Sequence, residues 1–235
     1  MNIEAKRALV FGGTSGIGLA TVFRLAQMGA TEVVAISRHP ERVTDLPLNV
    51  TTAKVDVLDE AALKTFFQSQ PPFDILISAA TGGARASGPF LQMNMAAYQG
   101  SFAKLWGYAN VVRFGAEQLT DQGAIVLVSG APARKTRPGQ VALGSVGGGI
   151  EAFVRAITAE LAPKRINLVS PGLIDTPLIP ITGEERSAFF ADSTQNNIIP
   201  RTGTADEVAM AIIFAIENDF VTGTTIDVDG GWLLS

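Results

Sequence analysis

Apolar residues recur along this chain in two rhythms, as short runs and as longer stretches with helical spacing. The short runs, read as strands, are Ala8–Phe11, Glu32–Ser37, Val50–Val57, Phe73–Ser78, Gly123–Ser129 and Arg165–Ser170. The first, Ala8–Phe11, has no polar alternation, which predicts a strand buried on both faces of a parallel sheet. Between the runs, helical spacing predicts helices from Ile17 to Ala26, Glu60 to Phe67, Met93 to Leu119 and Ile150 to Leu161. Local punctuation agrees: Gly29 ends the first helix, Asp59 caps the second, Pro71-Pro72 stops it and Pro163 closes the fourth. Glycine costs a helix interior about 1 kcal/mol, so Gly144-Ser-Val-Gly-Gly-Gly149 predicts a helix that starts only near Gly149. A helix over Ala205–Glu217 and a strand over Val221–Gly231 complete the chain. Alternating strands and helices predict an α/β fold, a doubly wound parallel sheet of about seven strands with helices on both faces.

Composition narrows the class. The chain has 235 residues, of which 47% are hydrophobic and 17% charged. That suits one domain over 1–235 with much of the chain buried between helices and sheet. There are no internal repeats and no low-complexity linker. A net charge of −4 argues against nucleic acid or an anionic membrane as partner. With 0 cysteines, disulfides and thiolate chemistry are excluded. The segment Met1–Arg7 leads into no apolar signal core, and no uninterrupted apolar run approaches the roughly 18 to 20 residues of a spanning helix. The expectation is a soluble cytoplasmic protein with a small-molecule substrate and no metal site.

The first strand leads into Gly12-Gly-Thr-Ser-Gly-Ile-Gly18 and then a helix. Strand, glycine turn and helix in that order make a phosphate-binding corner, where the backbone approaches closely and the helix offers free N–H groups. The spacing Gly-x-x-x-Gly-x-Gly resembles the nucleotide-binding motif of the short-chain dehydrogenase/reductase family. Further motifs follow in order: Asp56-Val57 after the third strand, Pro171-Gly-Leu-Ile-Asp-Thr176 after the sixth, and a C-terminal Val221–Gly231 signature. The resemblance covers essentially the whole chain and implies a Rossmann-type fold.

It implies cofactor contacts at Gly12, Thr14, Ser15, Gly16, Ile17 and Gly18 in the turn. Asp56 and Val57 fall beside the adenine, although turn chemistry also accounts for Asp56. Ala79 and Ala80 stand where the family typically has Asn-Asn-Ala-Gly. Pro171, Gly172, Leu173, Ile174 and Thr176 match the loop that holds the carboxamide and diphosphate. The second strand ends in Ser37-Arg38-His39, where an NAD-binding protein usually has Asp or Glu. Arginine there suits a 2′-phosphate, so NADP(H) is expected, with an ordinary solvated arginine as the alternative. Residues 178–203 match the variable substrate lid, and the helix from Met93 to Leu119 matches a subunit interface. With Trp106 and Tyr108 on it, that helix predicts a homodimer or homotetramer.

The family's chemistry uses a tyrosine that donates a proton, a lysine four residues on, a serine and an asparagine. In the register fixed by the flanking motifs, Leu143 falls at the tyrosine, Gly147 at the lysine, Gly130 at the serine and Lys104 at the asparagine. The only tyrosines are Tyr98 and Tyr108, and no lysine lies between Lys135 and Lys164. Three readings stay open. One is an atypical NADP(H)-dependent oxidoreductase acting by carbonyl/alcohol hydride transfer, with Lys104 as proton donor or stabiliser, helped by Ser129 or Ser145. The second is a non-catalytic NADP(H)-binding sensor or partner protein. The third is a lyase or isomerase that keeps the nucleotide as a structural element. Loss of two large side chains at Leu143 and Gly147 predicts a widened pocket.

Overall fold

The computed structural model describes all residues from Met1 to Ser235. Seven strands form one parallel sheet: β1 (Arg7–Phe11), β2 (Glu32–Ser37), β3 (Val50–Lys54), β4 (Phe73–Ser78), β5 (Leu119–Val128), β6 (Arg165–Pro171) and, last in the chain, β9 (Thr225–Val228). Their order is β3-β2-β1-β4-β5-β6-β9. The pair β7 (Ile174–Asp175) and β8 (Gly203–Thr204) makes a separate two-residue ladder. Alternate residues of β1 face opposite layers. Ala8 and Val10 pack with Val22 and Leu25 of α1 (Gly16–Gln27) and Ile212 of α7 (Ala205–Glu217). Leu9 and Phe11 pack with Phe67 of α2 (Glu60–Gln68), Tyr108 of α4 (Ala103–Gly115) and Ile150 of α5 (Val141–Leu161). This is the predicted doubly wound fold.

The structure departs from expectation in three ways. The helix expected over Met93–Leu119 is two, α3 (Met95–Ser101) and α4. Ser101 at the break donates to the Ala97 carbonyl (3.0 Å) and accepts the Ala86 N–H (2.8 Å), and such back-bonding bends a helix. The stretch then ends early, because chain 119–122 joins β5 as strand. Second, α5 starts at Val141, not near Gly149. Its glycines are where neighbours come closest: a Cβ on Gly147 would lie 2.8 Å from Ala133 Cβ, and one on Gly144 2.6 Å from Thr136 Cγ2. Close packing against that loop outweighs the propensity cost. Third, β3 stops at Lys54 and β9 covers only the middle of the expected strand.

Helix α5 is 21 residues long with mean hydropathy 1.2, enough by length and composition to cross a membrane. Here Val146, Ile150 and Val154 form a buried face in the core. Between β7 and β8 the chain forms α6 (Gly183–Thr194).

Candidate active site

The C-terminal ends of β1 to β6 open into one cleft of about 1060 Å³. It lies where the strand order reverses between β1 and β4, the usual ligand crevice of such sheets. Its floor is the glycine turn. Gly12 has φ +77° and Gly16 φ +52°, left-handed values that favour glycine. A Cβ on Gly18 would lie 2.1 Å from the Gly12 carbonyl oxygen, so the turn closes only with glycine there. Ser15 caps α1 without a side-chain hydrogen bond, and the first turn holds no acidic residue. Free N–H groups and the positive dipole end are left for an anion, a cradle that fits a dinucleotide's diphosphate. Opposite, the Thr176 side chain comes within 3.4 Å of where a Gly16 Cβ would stand.

All the residues expected at a cofactor line this cleft, from the glycine turn through Ser37, Arg38, Asp56, Val57, Ala79 and Ala80 to the loop of Pro171–Ile174 and Thr176. Two supports hold the far wall. Asp56 accepts the Leu58 N–H (3.0 Å), the turn chemistry its position allows, and Asn110 donates to the Val57 carbonyl (3.1 Å). Arg38 is exposed and has no carboxylate partner, while Ser37 Oγ accepts the His39 N–H (3.1 Å).

Lys104 and Ser129 meet at the opposite end. Lys104 Nζ donates to the Ser129 carbonyl (3.3 Å) and stands 5.5 Å from the Tyr108 ring centre. Loss of water around the ammonium, reinforced by the nearby Arg85 guanidinium, lowers its pKa to about 7. Ser129 is 8% exposed, and its Oγ has no hydrogen-bond partner within the protein. Ser145 does not join them: it accepts the Tyr98 hydroxyl (2.9 Å) and lies outside the cleft. Tyr108 is also spoken for. It is fully buried, its hydroxyl donates to the Val128 carbonyl (2.6 Å), and burial raises its pKa. That corrects its expected place at an interface; Trp106 alone of the pair is exposed, at 63%.

Leu143 and Gly147 both line the cleft. The widening expected at Gly147 is not there, because Ala133 fills the space its missing side chain leaves. Leu178, Ile179, Phe189, Ser193 and Asn197 bring the expected lid stretch to the cleft wall. Arg186 fastens it, donating to the carbonyls of Thr176, Ile179 and Ile181, pairing with Asp175 and lying 4.6 Å from the Phe190 ring centre. Sequence reasoning missed Arg85, Arg137 and Trp232 in the cleft wall. Nothing in the local pattern marks them: Arg85 and Arg137 sit in loops and Trp232 opens a single helical turn (Trp232–Leu234), and the paths of all three depend on the packed fold.

A family model described as enoyl-(acyl carrier protein) reductase matches residues 12–233. The chain belongs to the short-chain dehydrogenase/reductase family. The family is one of oxidoreductases, and its relatives match end to end. A 3-oxoacyl-[acyl-carrier-protein] reductase of Thermotoga maritima is 30% identical, with 100% of each chain covered. A mouse 3-oxoacyl-[acyl-carrier-protein] reductase is 31% identical over 98% of this chain and 99% of its own. A small-chain dehydrogenase solved in complex with NADPH superposes with a TM-score of 0.84 at 29% identity, covering 99% of this chain and 100% of that one.

Proposed function

We propose that this protein is an atypical NADP(H)-dependent oxidoreductase that moves a hydride between the nicotinamide and a small-molecule carbonyl or alcohol, with Lys104 in place of the usual proton donor. The observation that carries the reading is a single cleft joining the uncapped N-terminus of α1 to a polar end built from Lys104 and Ser129. The glycine turn and the Pro171–Thr176 loop hold the diphosphate, and Arg38 with Ser37 holds a 2′-phosphate. The NADPH complex of the similar small-chain dehydrogenase supports that preference. When bound, the nicotinamide supplies the hydride.

The protein's own task is then the proton. An ammonium that titrates near neutral pH is a usable acid there, whereas an ordinary lysine near 10.4 is a poor one. The Ser129 carbonyl fixes the direction of Lys104, and the Ser129 hydroxyl beside it is buried with no partner within the protein. Residues 178–203 act as a substrate lid pinned by Arg186. Localisation in the cytoplasm and assembly as a homodimer or homotetramer complete the reading, the latter through the exposed Trp106.

Two observations favour a second reading, a non-catalytic NADP(H)-binding sensor or partner: both tyrosines are engaged outside the cleft, and Ala133 occupies the space a lysine at position 147 needs. A panel of ketones, aldehydes and quinones with NADPH separates the two. At least one compound is expected to oxidise NADPH, and Lys104→Met should lower that turnover at least tenfold with NADPH affinity unchanged. Tight NADPH binding with no oxidation across the panel selects the binder. Turnover indifferent to Lys104→Met keeps the enzyme and removes Lys104 from its chemistry.

A further inference from the structure

The charge of the cleft runs against that of the molecule. The whole chain carries −4, yet Arg38, Arg42, Arg85, Lys104 and Arg137 line the cleft against a single carboxylate, Asp56. Outside the cleft every arginine except the exposed Arg113 meets a carboxylate, and inside it none does. Unpaired cations gathered in one concave site repel one another, and an anionic ligand relieves that repulsion. Arg38 and Arg42 follow β2, at the end that the reading above gives to the 2′-phosphate. Arg85 and Arg137 remain unassigned.

We infer that Arg85 and Arg137 form a subsite for an anionic group, a carboxylate or a phosphate, on the small molecule that binds beside the cofactor. This rests on the reading above for which end of the cleft the dinucleotide fills. The two arginines come from separate loops, and the Gly88 N–H donates to the Gly139 carbonyl (3.0 Å) to hold those loops together. Arg85 lies close enough to Lys104 to disfavour its charge. The Arg137 guanidinium stands 5.9 Å from the Trp232 ring centre and touches only the Ser193 carbonyl (3.4 Å), leaving donors free. Two buried polar atoms of the same wall lack partners within the protein, Ser129 Oγ and Asn197 Oδ1. A planar guanidinium with free donors matches a carboxylate or phosphate with two parallel hydrogen bonds. Leu143 and Phe189 offer apolar surface to the rest of the ligand.

The test is calorimetric titration of the protein loaded with NADP⁺, which keeps the 2′-phosphate site filled and allows no reduction of the probe. The probes are benzoylformate, its uncharged methyl ester and dihydroxyacetone phosphate. At least one anionic probe should bind about tenfold or more tighter than the ester. Arg85→Gln and Arg137→Gln should each remove most of that preference while ester and NADP⁺ binding stay as they were. The order of the two anions tells carboxylate from phosphate. Equal binding of acid, phosphate and ester overturns the inference, as does no binding by either anion or a preference that survives both substitutions. A loss of NADP⁺ affinity in the variants also overturns it, by giving the arginines to the cofactor. Because no step depends on turnover, a protein that never consumes NADPH can still pass, and one that does can still fail.

Discussion

Replacing Lys104 by methionine should make the protein more stable, and more so in acid than in base. The side chain is partly buried without a carboxylate partner, and its charged form gains only the Ser129 carbonyl and the face of Tyr108. Burial, then repulsion from Arg85, brings its pKa to about 7. An unfolded lysine titrates near 10.4, and each pH unit between the two is worth about 1.4 kcal/mol. The charged lysine therefore costs the native state at most about 4–5 kcal/mol. Partial hydration through the cleft, and the lost carbonyl contact of about 1–1.5 kcal/mol, reduce the expected gain to about 2 kcal/mol.

The sign follows from proton counting. Below pH 7 both folded and unfolded chains hold the proton, and the native state bears the full cost. Between 7 and about 10 only the unfolded chain holds it, so stability of the parent protein rises with pH. Methionine keeps the apolar body and removes the charge, so its advantage should be full at pH 6 and vanish near pH 10. Urea unfolding of the nucleotide-free protein at pH 6, 8 and 9.5 measures this directly. A methionine variant less stable than its parent at pH 6, or an advantage that does not change with pH, would refute the picture of a desolvated ammonium.

Other perturbations probe the rest of the site. Arg38→Ala should weaken NADPH about tenfold to a hundredfold and leave NADH binding unchanged, read by fluorescence titration, since a charge-assisted contact contributes about 1.5–3 kcal/mol. Gly18→Ala places a Cβ 2.1 Å from the Gly12 carbonyl oxygen, so a lowered Tm and loss of NADPH binding are expected together. Installing the family's pair by Leu143→Tyr with Gly147→Lys should not raise activity and should destabilise by about 1–3 kcal/mol, because the new side chain meets Ala133; adding Ala133→Gly should recover part of the loss in denaturant midpoint. Sedimentation at micromolar concentration should show a dimer or tetramer, and Trp106→Glu should shift it toward the monomer.

The cofactor half of the site was legible because its determinants are local. An unbroken apolar run, glycines at fixed offsets and a helical pattern fix a strand, a turn and a helix whose dipole end must meet the strand's end, whatever surrounds them. The residues at the ends of β2, β3, β4 and β6 follow by the same logic, since a parallel sheet brings the C-terminal ends of its strands to one edge. The start of α5 is not legible in its glycine run, for the opposite reason. Propensity is a sum over one segment, but at Gly144 and Gly147 the helix packs against Thr136 and Ala133 too closely for a Cβ, a contact that only the folded loop supplies. The break at Ser101 likewise depends on the Ala86 N–H reaching it from another loop. Nor does sequence spacing relate Arg85 to Arg137 or either to Lys104; a hydrogen bond joins the loops of the two arginines, and Lys104 reaches the same cleft from α4. Local backbone chemistry is written in the order of residues, whereas the charge of a cleft is a sum over groups that only tertiary packing brings within a few ångströms of one another.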